Sequence, residues 1–187
     1  EIEKNFILKD KDYELANTFW PGPLTLILEK KINSLISPFL SNNKNQVGCR
    51  IPNNEISLSL LSIIDFPIAA PSANIATRTS VTSIDDLDYK LKEIFYIDGG
   101  SSVLGLESTV IKTTKNGCKI LRLGSLTIEE IKIKFPKYEI SIDQSDVSPG
   151  NQLKHYSPIK PIRINVDFVK KNETLLNFGV NELVSDI

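Results

Sequence analysis

The chain has 187 residues and carries 22 Lys and Arg against 23 Asp and Glu, for a formal net charge of -1. This balance excludes a strong general attraction to nucleic acid or to acidic membranes, although a local basic patch remains compatible with it. Hydrophobic residues make up 41% and charged residues 24%, which excludes a disordered chain, and no apolar run approaches the ~20 residues of a membrane helix.

Helix and strand signals alternate in the first half of the chain. Asp12 predicts the capped start of a helical turn, which ends at the helix-stopping sequence 20–23 because this stretch holds two prolines and a glycine. Apolar spacing predicts a helix over 56–63. The predicted strands are 24–29, 47–52 and 67–71, and the last of them leads into the polar loop 72–74.

The second half continues the same mixture. Ser83 predicts the N-cap of a helix that runs through Leu91, and Thr127 with Glu130 forms a capping box for a helix toward Phe135. The predicted strands are 95–98, 108–111 and 119–123, with glycine turns at 99–100 and at 117. Because no regular βαβ alternation appears, we expect an α/β fold with a mixed, twisted sheet.

A polar stretch punctuated by Pro and Gly covers residues 141–158 and is typical of a linker. A further strand is predicted at 161–168, where a second domain could begin. The cysteines, Cys49 and Cys118, lie far from one another in sequence and His155 is the only histidine. We therefore expect two reduced, buried thiols of a cytosolic protein, with neither a disulfide framework nor a zinc site.

The standard catalytic motifs are missing, but several anion-holding loops are present. No P-loop, dinucleotide-binding or nucleophile-elbow motif occurs in the sequence. Arg50 and Arg122 each lie near the end of a predicted strand, and guanidinium groups clamp anions with paired hydrogen bonds. Each loop alone also fits an ordinary turn, and each arginine alone fits a solvated surface charge. Together they favour positioning and charge stabilisation of an anionic reaction such as nucleotidyl transfer.

The joint order of these loops resembles the Sua5/YciO/YrdC family, over about residues 15 to 160. The six motifs that carry the resemblance are 19–25 (FWPGPLT), 48–52 (GCRIP), 70–74 (APSAN), 98–100 (DGG), 107–110 (ESTV) and 121–124 (LRLG). The later segments 148–150 and 155–158 resemble the interdomain linker of the two-domain Sua5 type.

This resemblance implies a YrdC-like twisted mixed sheet flanked by helices in a catalytic domain over 1–140, an interdomain linker over 141–160 and the start of a Sua5-type C-terminal domain over 161–187. It also implies an L-threonylcarbamoyladenylate synthase, a cytoplasmic enzyme that joins L-threonine, bicarbonate and ATP with Mg²⁺ for the t6A modification of tRNA. Downstream t6A transfer proteins are then expected partners, tRNA is a further candidate partner, and no membrane contact is expected.

Roles for individual residues follow from the same resemblance. The residues that it places on threonine are Thr25, Ala70 and Ser108. The residues that it places on ATP are Pro21, Ser72, Asn74, Ser80 and Arg122, with His155 and Tyr156 of the linker closing over the adenylate. Arg50 is a candidate anion clamp. The resemblance assigns neither a general acid or base nor a protein ligand for the metal.

The sequence departs from the family pattern at several positions: Ala76, Thr77, Val81, Asn151 and Leu153. The chain also lacks Met, and the resemblance places a Lys/Arg motif for the ATP phosphates before Glu1 and most of a second domain after Pro158. We therefore expect truncation at both ends and little activity from these residues alone. The alternatives are a non-catalytic RNA-binding module, a decaying gene product, and carbamoyl transfer to another substrate.

Overall fold

A computed structural model describes residues 1–41, 44–75, 78–91, 93–143 and 160–176. The helices in these ranges are α1 (Ile2–Asn5), α2 (Asp10–Phe19), α3 (Glu55–Ile63) and α4 (Ile128–Lys134), with 3₁₀ turns at Pro38–Ser41, Ile84–Asp86 and Tyr89–Leu91. The strands are β1 (Phe6–Ile7), β2 (Leu24–Lys30), β3 (Gln46–Cys49), β4 (Thr109–Thr113), β5 (Gly117–Arg122) and β6 (Glu139–Ile142). Among these helices, none has the length and apolar character needed to cross a membrane.

The strands form one mixed sheet with β2 at its centre. Leu26 pairs with Cys49 of β3 and with Ile111 of β4, so β3 and β4 lie on opposite edges of β2. β1 extends the β4 edge at the far end of β2, where Ile7 pairs with Glu29. β5 runs antiparallel to β4, and β6 runs parallel to β5. The mixed α/β architecture expected from the sequence is confirmed.

The hydrophobic core covers one face of this sheet. Alternate residues of β2 are buried on that face, because side chains of a strand point to opposite sides in turn. Helices α2 and α4 pack against it through Leu15, Ala16 and Ile131. The largest fully buried side chains are Leu15, Leu24, Leu26, Leu28, Thr109, Ile111, Cys118, Ile120 and Ile131. The opposite face, which we call the open face, is therefore left to carry polar side chains.

Two helix starts show how local sequence fixes the helices on the core face. Asp12 lies inside α2, where its carboxylate accepts hydrogen bonds from the Lys9 backbone N–H (2.8 Å) and from the Thr113 hydroxyl (2.7 Å). It therefore caps α2 and also ties that helix to β4. The capping box of α4 is confirmed, since Thr127 accepts from the Glu130 backbone N–H and Glu130 accepts from that of Thr127. The backbone N–H and the hydroxyl of Thr127 both donate to the Glu130 carboxylate, and these two hydrogen bonds lower the pKa of that group.

Three of the predicted strands are wrong. Residues 67–71 are irregular, and prolines at both ends leave that segment short of the N–H donors a strand needs. Residues 95–98 lie exposed and without a paired strand, so their apolar pattern gains nothing from an extended conformation. In 161–168 the backbone turns at Asn165, whose φ is 53°, and Arg163 donates to the Phe168 carbonyl across the turn.

Other element boundaries also differ from the prediction. The helix expected from Ser83 to Leu91 is two 3₁₀ turns, because Leu87 between them has an extended backbone. The glycine at 117 begins β5 and does not lie in a turn ahead of it; a Cβ there would lie 2.3 Å from the Glu139 carbonyl of β6. Sequence reasoning missed β6, which takes in the first residues of the expected linker. The domain boundaries remain predictions, and linker residues 144–159 lie outside the described ranges.

Candidate functional site

Four of the predicted anion-holding loops lie at one end of the sheet, namely those in the motifs 19–25, 48–52, 107–110 and 121–124. β2 and β4 are parallel to each other and antiparallel to β3 and β5, so the starts of the first pair and the ends of the second pair share that end. Backbone hydrogen bonds join the loops directly. The Gly22 N–H donates to the Ile51 carbonyl (2.8 Å), and the Thr109 N–H donates to the Pro23 carbonyl (2.9 Å).

Strand alternation and one bulge place three side chains on the open face above these loops. Leu24 and Thr109 face the core, so their neighbours Thr25 and Ser108 face the opposite way. In β5 simple alternation after the buried Ile120 would turn Arg122 toward the core. The pairing shifts there, and one extra residue of β5 stands opposite β4, so Arg122 pairs with Val110 on the open face.

These three residues form what we call the hydroxyl–arginine cluster: Thr25, Ser108 and Arg122. The Thr25 and Ser108 hydroxyl oxygens lie 2.8 Å apart, and either can donate to the other. Arg122 Nη2 donates to the Ser108 hydroxyl (3.1 Å) and, with Nε, to the Ser108 carbonyl (2.9 and 3.2 Å). Ser108 is 5% exposed, whereas Thr25 is only partly buried. Thr25 is therefore the more exposed of the two hydroxyl residues.

Arg50 and Glu107 are the other charged residues beside the hydroxyl–arginine cluster. Arg50 Nε donates to the Gly22 carbonyl (3.0 Å). Desolvation lowers the pKa of the Arg50 guanidinium, Glu107 opposes that shift, and Arg122 reinforces it. Glu107 Oε2 lies 3.9 Å from Arg122 Nη2. Two guanidinium groups thus share the field of one carboxylate, which leaves an excess of positive charge suited to an anionic ligand.

Sequence reasoning quoted Glu107 within a motif but gave it no role in the site. Its Oε1 accepts a short hydrogen bond from the Ser80 hydroxyl (2.5 Å), so it joins a loop expected to hold the nucleotide to the arginine side of the site. The available signal was a carboxylate inside one of the six motifs, directly before Ser108. Such a group is expected to pair with a donor or a cation, because a carboxylate rarely stays unpaired when it is partly buried.

The loop that carries Asn74 and Ser80 is held by its own side chains. Asn74 Nδ2 donates to the carbonyls of Ile75 and Arg78, both at 3.1 Å. Asn74 Oδ1 is buried and has no hydrogen-bond partner among the described residues. A buried acceptor of this kind suits a ligand that brings a hydrogen-bond donor.

The structure does not bring every predicted site residue to the cluster. Pro21, Ala70 and Ser72 are exposed. In the described ranges, no hydrogen bond or ion pair joins Ala70 or Ser72 to the hydroxyl–arginine cluster. His155 and Tyr156 lie outside the described residues, as do the departures at 76–77, 151 and 153. The geometry therefore unites Thr25, Ser108 and Arg122, with Arg50 and Ser80 beside them, and the ligand assigned to each residue remains a prediction.

The donor set does not fit a magnesium ion held by the protein. Within the ranges that the structure describes, His, Cys, Asp and Glu form no group of three or more that could bind a metal. At the cluster itself, the Glu107 carboxylate is already engaged by Ser80 and faces Arg122. Mg²⁺ binds proteins mainly through carboxylates and substrate phosphates, and its binding to this chain remains a prediction.

Of the two thiols expected to be buried, Cys118 is buried, whereas Cys49 is only partly buried because it lies in β3 at an edge of the sheet, so the prediction is wrong for Cys49. Both thiols still give a testable prediction about their reactivity. Burial raises the pKa of Cys49 to about 12 and that of Cys118 to about 11, from an ordinary value of 9.0. We expect iodoacetamide at pH 8 to leave both thiols of the folded protein unmodified and to alkylate both in concentrated urea, because only the thiolate reacts. Rapid alkylation of Cys118 in the folded protein would contradict this assignment.

The same shifts predict alkaline destabilisation. Above pH 9 the unfolded chain releases thiol protons that the folded protein retains, so the free energy of unfolding falls as the pH rises toward 11 and 12. Urea titrations of the protein and of Cys118→Ser, at pH 8 and pH 10.5, measure this effect. The loss of stability between the two pH values should be smaller in the variant, and an equal loss would show that Cys118 contributes nothing to it.

Comparisons with known proteins place this site in a family. The Sua5_yciO_yrdC family profile, described as telomere recombination, matches residues 1–124, which is more than half of the chain. The threonylcarbamoyl-AMP synthase of Pyrococcus abyssi is 39% identical, over 77% of this chain and 44% of that protein. The threonylcarbamoyl-AMP synthase of Bacillus subtilis is 35% identical, over 83% of this chain and 46% of that protein.

A solved structure agrees with the sequence comparisons. The crystal structure of Pyrococcus abyssi Sua5 complexed with L-threonine matches with a TM-score of 0.68 and 35% identity, over 84% of this chain and 49% of that one. The chain thus spans less than half the length of these relatives. The profile match, the shared fold and the six ordered motifs agree, and the chain belongs to the Sua5/YciO/YrdC family.

Proposed function

We propose that this chain carries the threonine- and nucleotide-binding site of an L-threonylcarbamoyladenylate synthase. Such an enzyme forms threonylcarbamoyl-AMP and pyrophosphate from L-threonine, bicarbonate and ATP, as a step toward the t6A modification of tRNA. The names of the relatives and the threonine complex of one of them support this function. The observation on this chain that carries the proposal is the hydroxyl–arginine cluster.

A count of protons shows what the cluster offers to an amino acid. Two hydroxyl groups bring two protons, and one of these is used in the bond between Thr25 and Ser108. Because Arg122 already donates to the buried Ser108 oxygen, we assign the Ser108 proton to Thr25. The Thr25 proton is then free for a ligand oxygen. The positive charge of Arg122 polarises this relay of hydrogen bonds from Arg122 through Ser108 to Thr25. The Thr25 hydroxyl is then a good donor to a carboxylate such as that of L-threonine.

The proposed reaction places several negative charges close together. The amine of threonine attacks CO₂ derived from bicarbonate and loses a proton, which gives a carbamate. A carbamate oxygen then attacks the α-phosphorus of ATP, and the bond to the β-phosphate oxygen breaks to release pyrophosphate. Arg50 and Arg122 supply positive charge on the side where the substrates meet. Preformed cations of this kind stabilise developing negative charge without further reorganisation.

The nucleotide contacts rest on the second loop. Asn74 Oδ1 is a buried acceptor without a partner in the described ranges, which suits a ribose hydroxyl or the adenine amino group. Pro21, Ser72, Ser80 and Arg122, with His155 and Tyr156, are the further residues that we assign to ATP, and Ala70 is assigned to threonine. We assign Mg²⁺ to the triphosphate of ATP, because phosphate oxygens are preferred ligands of this ion and the Glu107 carboxylate is engaged by Ser80.

The function is tested by pyrophosphate release from the full protein. We expect release only when L-threonine, bicarbonate and ATP are all present, and we expect Ser108→Ala to lower kcat/KM for threonine by about 10²-fold, the usual scale for loss of a preorganised donor. Ser62→Ala is the matched control, since Ser62 lies exposed on α3 and donates only to the Ser59 carbonyl in the described structure.

Two results would contradict the proposal. Pyrophosphate release that does not depend on threonine would remove the amino acid from the reaction. Binding of tRNA by a protein that binds neither threonine nor ATP would favour a non-catalytic RNA-binding module. A salt titration of tRNA binding belongs to this test, because contacts to phosphate weaken steeply with salt.

A further inference from the structure

A continuous chain of polar contacts joins the two halves of the site. Its members, in order, are Ser80, Glu107, Arg122, Ser108 and Thr25. Ser80 donates to Glu107 Oε1 at 2.5 Å, and Glu107 Oε2 faces Arg122 Nη2 at 3.9 Å. Arg122 then donates to Ser108, whose hydroxyl is bonded to that of Thr25. One end of the chain belongs to the loop assigned to the nucleotide, and the other end is the hydroxyl assigned to threonine.

Glu107 is the only carboxylate in this chain of contacts, and its environment strengthens its effect. The Arg122 side chain is 17% exposed and that of Glu107 is 33% exposed, so water screens their interaction less than it would at an open surface. The backbone of Glu107 is fixed as well, because its carbonyl accepts from the N–H (2.9 Å) and the hydroxyl (2.9 Å) of Ser125. The Glu107 carboxylate therefore extends from a fixed backbone just before β4 to Ser80, in a longer and less regular loop.

We propose that Glu107 is a positioning residue that couples the binding of L-threonine to the binding of ATP. This inference rests on the proposed function and adds to it a residue and a role. A carboxylate ligand on Thr25 draws on the same Arg122 that faces Glu107. With Arg122 held in place by the amino acid, Glu107 and the Ser80 loop lose less freedom when the nucleotide binds. Prior ordering of that kind makes the second ligand bind more tightly.

The experiment measures this coupling by titration calorimetry on the full chain. The dissociation constant of α,β-methylene-ATP, which cannot release pyrophosphate, is measured without and with saturating L-threonine. We call the dissociation constant without L-threonine divided by that with L-threonine the coupling ratio. We expect a coupling ratio of about 10 for the unaltered protein, within the usual range of coupling between sites. In Glu107→Gln and in Ser80→Ala the ratio falls to within about 2-fold of one, and the double variant falls no further because both substitutions break the same link.

Matched variants separate coupling from simple damage to the fold. Ser80→Thr keeps the hydroxyl and should retain the coupling. Glu139→Gln makes the same chemical change on β6, where that carboxylate contacts Asn116, and should leave the ratio unchanged. The dissociation constant of L-threonine alone should change less than about 3-fold in Glu107→Gln, because Arg122 still holds Ser108 directly.

Each outcome decides the question. A ratio near 10 in Glu107→Gln would overturn the positioning role while leaving the proposed function intact, and so would a ratio near one in the unaltered protein. A general loss of affinity for threonine in Glu107→Gln with the coupling preserved would show a merely structural residue. If the unaltered protein bound neither ligand, the proposed function would fail and the coupling with it.

Discussion

Replacement of Arg122 by Ala is expected to reduce kcat/KM for L-threonine in pyrophosphate release by about 10³-fold, the upper scale for loss of a preorganised charge. Arg122 makes three hydrogen bonds to Ser108, two to its carbonyl and one to its hydroxyl. Without them the Ser108 carbonyl loses its guanidinium partner, and the relay to Thr25 loses its polarising charge. We expect most of the loss in kcat, since the charge matters most where the carbamate reacts.

The variant Arg122→Lys tests whether charge alone is sufficient. A lysine supplies one ammonium group and cannot span both Ser108 oxygens as a planar guanidinium does, so we expect it to recover no more than about a tenth of the activity. Arg163→Ala is the matched control, because in the described structure the hydrogen bonds of Arg163 go to Glu173 and to the Phe168 carbonyl and not to the cluster. Full activity in Arg122→Lys would contradict the bidentate role, and equal losses in both alanine variants would point to a non-specific effect.

The substitution Thr109→Val is expected to lower the free energy of unfolding by about 2–4 kcal/mol, since two buried backbone groups would lose their partner. Thr109 is fully buried, and its hydroxyl donates to the Leu126 carbonyl (2.6 Å) and accepts from the Leu126 N–H (3.1 Å). Valine has nearly the same shape, so the loss reports on these two hydrogen bonds and not on a cavity.

Urea unfolding followed by circular dichroism measures this change. Thr18→Ala is the control, because Thr18 is exposed on α2 and donates only to the Glu14 carbonyl in the described structure, so its replacement should change stability by no more than about 0.5 kcal/mol. A Thr109→Val protein as stable as the unaltered one would mean that water replaces the hydroxyl. Thr109 also follows Ser108 directly, so we expect weaker threonine binding in this variant as well.

The parts of the fold that sequence predicts well are those with strong local signals. Pro21 and Gly22 end α2, the alternation of β2 buries its leucines, and the capping box of Thr127 and Glu130 opens α4 as expected. Each of these features depends on neighbours within a few residues. Local propensity alone is therefore enough to identify them.

The error at 67–71 goes against a local signal, since prolines at both ends remove N–H donors that a strand needs. Other errors come from pairing, which no local pattern contains. Residues 95–98 have β-type composition, yet in the described structure no strand lies beside them, whereas Glu139–Ile142 forms a strand by pairing with β5. The same limit applies to the site. Motif order predicted that Thr25, Ser72, Ser108 and Arg122 converge on one cavity. In the described structure hydrogen bonds join Thr25, Ser108 and Arg122 to one another, and Ser72 lies exposed without such a bond to them. The link from Ser80 to Glu107 spans 27 residues and depends on tertiary folding.

The extra residue in β5 is what keeps the guanidinium of Arg122 beside the two hydroxyl groups. If Leu121 took up a regular pairing with Val110, Arg122 would face the packed leucines, and a folded protein tolerates a charge there poorly. Deleting Leu121 would have no such effect, because Arg122 would then follow Ile120 directly and would still face the open side. In a related chain, the pairing register of this strand is therefore a better guide to the position of the arginine than the number of residues before it.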